Sequence, residues 1–262
     1  MSDPQAQPSG KPLDQGGKLG VPGAPLLQLS GVHTHIDQYH ILQGVDLVVP
    51  RGGITMLLGR NGAGKTTTMR TIMGLWRASQ GRVDLAGEEI NQLATPDRAR
   101  RGMAYVPESM AVFSGLTVKE NLTLAARSGT FDPDRLAWIF EVFPAMKTFW
   151  DLPAGNLSGG QKQMLAISRA MIEPRELLLV DEPSKGLAPA IVQSLIEAFR
   201  QLKQADTTIL LVEQNFHMAT SLGDSVAIMD DGQVVHNGAM DELANNRDLQ
   251  QSLLGLSMDS HQ

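Results

Sequence analysis

The sequence predicts an α/β fold, with a buried sheet flanked by helices, an antiparallel β lobe beside it and an α-helical subdomain inserted into it. Three observations carry that expectation. The glycine-rich segment Gly59-Arg60-Asn61-Gly62-Ala63-Gly64-Lys65-Thr66-Thr67 lies between an apolar run, Ile54 to Leu58, and a helical pattern, Lys65 to Leu75. The most apolar run, Leu177 to Val180, ends in Asp181-Glu182-Pro183. Between these two, Thr117 to Arg127 and Asp134 to Trp150 show the spacing of amphipathic helices.

Taken in order, residues 1–25 hold five Pro and five Gly and no aromatic residue, and read as a disordered tail without the apolar core of a signal peptide. Leu26 to Pro50 reads as alternating short strands leading to Val45–Val49. Ile54 to Leu58, bounded by Gly52-Gly53 and Gly59, is a buried strand, and the helix from Lys65 carries Met69, Ile72, Met73 and Leu75 on or near one side. Arg82 to Leu85 adds a strand to the antiparallel lobe, and Met103 to Val106 one to the core. The inserted helical subdomain spans about 109–172. Within it, Phe140, Phe143, Met146, Phe149 and Trp150 read mostly as core packing. Thr208 to Val212 is a further apolar strand. Ser225–Met229, the turn Asp230-Asp231-Gly232 and Gln233–Val235 suggest a closing hairpin. A helical tail, Met240 to Leu254, follows. With no internal repeat, one domain over 26–258 is expected, and 259–262 as a tail.

The motifs carry chemistry. Gly59, Gly64, Lys65 and Thr66 satisfy G-x-x-x-x-G-K-[ST], which about one chain in a hundred of this length would show by chance. Strand, glycine loop and helix is the context the motif needs. There the backbone N–H groups of Gly59 to Thr67 turn toward a phosphate chain at a helix N-terminus. Lys65 should then reach the β- and γ-phosphates, and the Thr66 hydroxyl should bind Mg²⁺. The pattern resembles the core of a P-loop NTPase, and a RecA-like core is expected. Asp181 would complete the Mg²⁺ shell and Glu182 would act as general base on water. Acids after a core strand are often just a solvated turn, and the phosphate loop is what tips the reading. Leu157-Ser158-Gly159-Gly160-Gln161 starts another helix, with Ser158 as N-cap and free N–H groups able to hold an anion. Alone it would be an ordinary Gly-Gly turn, and within one subunit it has no phosphate to bind.

Phosphate loop, Leu157–Gln161 and Asp181-Glu182, in this order, resemble the ATP-binding cassette (ABC) ATPases, over about Leu26 to Leu256. The resemblance implies an ATPase using ATP and Mg²⁺. It also implies a dimer in which Leu157 to Gln161 of one subunit contacts the ATP of the other. The sequence departs from the family at three places. Glu108, in Tyr105-Val106-Pro107-Glu108, stands where a glutamine usually senses Mg²⁺ and the membrane partner, so it is a candidate metal ligand. Lys185 is unusual in Ser184-Lys185-Gly186-Leu187-Ala188-Pro189. Gln214, in Val212-Glu213-Gln214-Asn215, replaces a histidine that contacts the γ-phosphate; it keeps a hydrogen-bond donor but carries no proton or charge. His217 is more readily a surface helix residue than its substitute. The adenine-stacking position aligns with Ile36, and the nearby Tyr39 is the better aromatic for that role.

These departures are similar to one branch, the shorter ATPase subunit of branched-chain (hydrophobic) amino acid importers; urea, amide and aromatic-acid importers use closely similar subunits. The branch implies membrane-spanning permease subunits, a second ABC ATPase subunit (a heterodimer, with a homodimer as the alternative) and, indirectly, a periplasmic solute-binding protein, at the cytoplasmic face of the membrane. Glu108 to Leu116, with Met110, Val112 and Phe113, is the candidate contact with the permease. A soluble, non-transport ABC ATPase would carry two cassettes or a long coiled coil, and neither pattern is present. A catalytically weak, nucleotide-gated subunit is suggested by Gln214 and opposed by Lys65, Asp181 and Glu182.

Composition sets outer bounds. The 262 residues, 42% hydrophobic, suffice for a sizeable core, and the absence of cysteine excludes disulfides and thiolate metal sites. A net charge of −6 without a basic stripe disfavours nucleic acid as a partner. No stretch approaches the roughly eighteen apolar residues of a membrane span. His33, His35 and His40 lack an acid or cysteine to complete a metal set.

Overall fold

The computed structural model describes residues 25–254. The Pro/Gly-rich stretch up to residue 24 and the terminal residues 255–262 lie outside that range.

The chain opens with two long antiparallel strands, β1 (Leu27–Ile36) and β2 (Tyr39–Val49), in place of the several short ones expected. With β4 (Ala78–Leu85) and β5 (Glu88–Glu89) they form a four-stranded sheet in the order β2-β1-β4-β5. The second sheet has six strands. Its members are β3 (Ile54–Gly59), β6 (Met103–Val106), β7 (Leu177–Asp181), β8 (Thr208–Val212), β9 (Ser225–Asp230) and β10 (Gln233–Ala239), in the order β10-β9-β3-β8-β7-β6. The pairs β9-β3, β3-β8, β8-β7 and β7-β6 are parallel, and β10 folds back antiparallel on β9 as the expected hairpin.

Strand alternation puts the second sheet between two cores. Met56, Leu178, Val180, Ile209 and Leu211 face one core; Leu57, Leu177, Leu179, Leu210 and Val212 face the other. The second core is closed by the four-stranded sheet and by α1 (Lys65–Ile72), through Met69 and Ile72. Helix α2 (Thr95–Arg100) supplies the buried Arg98, whose Nη1 donates to the Thr71 and Ile72 carbonyls at 3.0 and 2.7 Å. A guanidinium thereby meets the last carbonyls of α1, at the negative end of the helix dipole.

The first core is closed by the helices between β6 and β7 and those after β7. The first group is α3 (Val118–Ala125), α4 (Pro133–Val142), α5 (Pro144–Thr148) and α6 (Gly159–Met171). The second is α7 (Pro189–Gln204), α8 (Phe216–Leu222), α9 (Met240–Asn245) and α10 (Arg247–Leu254). Thr117 caps α3 with a capping box to Glu120. The expected single helix from Asp134 to Trp150 is broken. Phe143 precedes Pro144 and sits at φ −130°, ψ 78°, because the proline ring excludes the helical conformation from its predecessor. Phe143 and Met146 are fully buried, while Phe140, Phe149 and Trp150 pack at the core's edge, Phe140 edge-on to Trp150 at 5.2 Å. The expected helical tail is likewise divided at Asn246.

Candidate active site

Four neighbouring parallel strands, in the order β3, β8, β7 and β6, end on the same edge, and each hands over a polar group there. After β3 comes the phosphate loop, after β8 Glu213 and Gln214, at the end of β7 Asp181 and Glu182, and after β6 Pro107 and Glu108.

The loop conformation depends on its glycines. Gly59 has φ 143°, and a Cβ there would lie 2.2 Å from the Met229 carbonyl oxygen; Gly64, the N-cap of α1, has φ 101°, and its Cβ would press on Leu42 at 3.0 Å. Lys65 is 5% exposed, and its Nζ donates to the Gly59 and Arg60 carbonyls at 2.8 and 2.9 Å, lying across the loop. Glu182 Oε1 is 4.0 Å from that ammonium. Burial lowers the Lys65 pKa from its ordinary value, opposed by Glu182 and then Asp181.

Asp181 is fully buried. Burial raises its pKa, against hydrogen bonds from Thr66 and Tyr105, and the Tyr105 hydroxyl donates to Oδ2 at 3.2 Å. Its Oδ1 has no hydrogen-bond partner. Beside it opens a cavity of about 300 Å³ lined by Thr66, Arg70, Pro107, Glu108, Ser109 and Asp181. An unpaired carboxylate oxygen, a hydroxyl and a second carboxylate around a small cavity form a hard, all-oxygen donor set that fits Mg²⁺.

Glu182 has φ 47°, a strained conformation for a side chain of its size, and its backbone N–H is tied to the Val212 carbonyl at 2.9 Å. Gln214 Nε2 donates to Glu182 Oε1 at 2.5 Å and to Asn61 Oδ1 at 2.8 Å, so one amide links the two sides of the site. Lys185 Nζ donates to Glu108 Oε1 at 2.6 Å and lies 3.3 Å from Glu182 Oε2. These carboxylates raise the Lys185 pKa, Glu108 foremost.

Two contributors carry no role in the sequence reading. Tyr105 reaches Asp181. Glu213, 2% exposed, accepts from Ser184 N at 2.9 Å and Ser184 Oγ at 2.8 Å, and from the N–H groups of Gln214 and Asn215, both at 3.1 Å. It fixes the loop after β7 to the loop after β8. Burial raises its pKa. The only signal for it in the sequence is an acid directly following an apolar strand.

Ser158 caps α6 as expected. Its Oγ accepts from Gln161 N, and its own N–H donates to Gln161 Oε1 at 2.9 Å. That box satisfies two N–H groups and leaves those of Gly159 and Gly160, in a first turn without acids, for an outside acceptor. Leu157 is buried as the anchor of this turn. His217 is exposed in the first turn of α8. Tyr39 is 63% exposed at the start of β2, the strand whose Leu42 abuts Gly64. His33 and His40 hydrogen-bond each other through Nδ1 and Nε2 at 2.9 Å, and the His35 ring stacks parallel on His40. No group of three or more His, Cys, Asp or Glu among the described residues is arranged to hold a metal.

Comparison with known proteins gives the family. The family model described as ABC transporter matches residues 42–185. The chain is 37% identical over 236 residues to the high-affinity branched-chain amino acid transport ATP-binding protein BraG of Pseudomonas aeruginosa, covering 88% of this chain and 100% of that one. It is 35% identical to the probable branched-chain amino acid transport ATP-binding protein LivF of Archaeoglobus fulgidus, covering 88% and 99%. A solved ATP-binding subunit of an ABC transporter, 30% identical, superposes with a TM-score of 0.75 over 88% of this chain and 96% of its own. An ABC transporter cassette in its ADP conformation, 22% identical, shares the fold with a TM-score of 0.75, over 88% and 99% of the two chains. This chain belongs to the ABC transporter family, as an ATP-binding cassette whose ATPase is coupled to transport.

Proposed function

We propose that this cassette energises the uptake of branched-chain amino acids from the cytoplasmic face of the cell membrane. It does so with membrane-spanning permease subunits, a second ABC ATPase subunit and, indirectly, a periplasmic solute-binding protein. The observation that carries the substrate is the likeness to BraG and LivF along their whole length. Among the described residues no helix is long and apolar enough to cross a membrane, so in this reading the pore comes from other chains.

In this mechanism Lys65 leaves the Gly59 and Arg60 carbonyls for the β- and γ-phosphates, which offer it a full negative charge. Asn61 and the N–H groups along the loop to Thr67 surround the phosphates, and Tyr39 stacks on the adenine. Thr66, Asp181 and Glu108 hold Mg²⁺, which when bound offsets the phosphate charge. Glu182 accepts the proton of the attacking water, and Gln214 holds that carboxylate in place. Gly159 and Gly160 of a second cassette donate to the γ-phosphate, so the closed dimer binds ATP best and hydrolysis releases it.

A groove of about 620 Å³ beside the site, lined by Met73, Leu75, Trp76, Pro107 and Ala111 among others, is the seat for a short helix of the permease. It takes in part of the expected 108–116 contact, and Phe113, 49% exposed, stands under Arg169 with the guanidinium carbon 4.9 Å from the ring centroid.

The test is uptake of labelled leucine, isoleucine and valine in cells lacking this chain, complemented with wild type, Lys65→Ala or Glu182→Gln. Restoration by wild type alone, with purified Glu182→Gln retaining unhydrolysed ATP, is the expected result. Unchanged uptake in the deletion removes the amino-acid reading, and turnover by Glu182→Gln removes the base assignment.

A further inference from the structure

Glu108 and Lys185 are the two residues that depart most in charge from the pattern this chain otherwise follows, and the structure brings them together. They lie 77 positions apart, on loops after the neighbouring strands β6 and β7, with Lys185 Nζ 2.6 Å from Glu108 Oε1. The side chains are 55% and 46% exposed, and a pair that wet adds little to stability. Its consequence is local. The edge of the site holds three carboxylates, Glu108, Asp181 and Glu182, against two ammonium groups, Lys65 and Lys185. Lys65 is committed to the loop. The Arg70 guanidinium lines the same cavity, but Lys185 is the cation hydrogen-bonded to Glu108, and Glu108 shares that cavity with Thr66 and Asp181. One carboxylate cannot give its full charge to an ammonium and to a divalent ion together.

We propose that Lys185 is a positioning residue that competes with the divalent cation for Glu108, setting how tightly the cassette takes up metal with its nucleotide. Lys185 holds Glu108 toward the Glu182 side of the cleft; metal entry requires that carboxylate to exchange one positive partner for another. The inference rests on the reading of Thr66, Asp181 and Glu108 as the metal site.

The experiment is Mn²⁺ binding to the full chain saturated with ADP, followed by loss of the free Mn²⁺ signal in electron paramagnetic resonance, against Mn²⁺–ADP alone. Lys185→Met should tighten Mn²⁺ binding about threefold, the size of an exposed ion-pair coupling. Glu108→Gln should weaken it. In the Glu108→Gln background, Lys185→Met should have no further effect. Equal tightening in both backgrounds would show a general charge effect and overturn the proposal, as would no change or weaker binding in Lys185→Met alone. Asp181→Asn separates the two levels. If it leaves Mn²⁺ affinity intact, the metal-site reading fails; if it abolishes binding while Lys185→Met does nothing, only the role of Lys185 fails.

Discussion

Replacing Glu213 with alanine should cost about 3 kcal/mol of stability, and the figure follows from its surroundings. The carboxylate is 2% exposed and accepts four hydrogen bonds, from Ser184 N, Ser184 Oγ, Gln214 N and Asn215 N, at 2.8 to 3.1 Å. A hydrogen bond to a charged group contributes about 1.5–3 kcal/mol, so four would sum to well above the net effect. The carboxylate itself is buried at a cost, which truncation returns, and water can reach the donors from the side of the exposed Gln214. About 3 kcal/mol remains. Urea unfolding followed by tryptophan fluorescence measures it, read as a shift in midpoint at unchanged slope.

The pH dependence of that loss has a definite sign. Burial raises the Glu213 pKa above its ordinary 4.5, so the native state holds the proton longer than the unfolded chain does. This group's contribution is therefore fully present below pH 4.5 and declines as pH rises through the folded pKa, after which it is constant. The gap between wild type and Glu213→Ala should be widest below pH 4.5 and narrower at neutral pH. A loss below about 1 kcal/mol, or a gap that widens with rising pH, would refute the assignment of Glu213 as a buried clasp between the two loops.

Two further outcomes are expected. Tyr39→Ala should weaken ATP binding about tenfold, the size of one aromatic–base stack, in a titration with a fluorescent ATP analogue; unchanged affinity would assign the adenine contact elsewhere on the β1–β2 hairpin. Phe143→Ala, which empties a fully buried ring position ahead of the Pro144 break, should destabilise the chain by about 3–5 kcal/mol in the same urea assay, and a loss near zero would mean the inserted helices do not share the core below them.

The nucleotide loop, the acidic strand end and the capped helix were legible because each is a local pattern, its residues contiguous and its physics contained in one strand–loop–helix unit. The hairpin of β9 and β10 was legible for the same reason, from Asp230-Asp231-Gly232 between two apolar runs. Other features depend on partners that no window shows. Nothing near Glu213 in sequence announces Ser184, and nothing near Glu108 announces Lys185. The break at Phe143 is masked by apolar spacing that continues through Pro144, although the proline itself forbids a continuous helix. The lengths of β1 and β2 escaped because strand ends are set by pairing, with β-bulges along β1 interrupting the alternation that would have marked them.

Four adjacent strands each deliver polar groups to a common edge, and this bears on how freely the loops there can change. A loop at the end of one strand can change without disturbing its neighbours, because the sheet beneath carries the folding. The cradle after β3 can stay fixed while the loops after β6 and β7 drift, and a charge introduced on one is answered most readily by a charge on the other. Glu108 and Lys185 are such a pair of answering charges, in contact across these two loops. The sheet thus separates the frame that carries the folding from the loops that carry the charge, and Asp181, the last residue of β7, belongs to the frame.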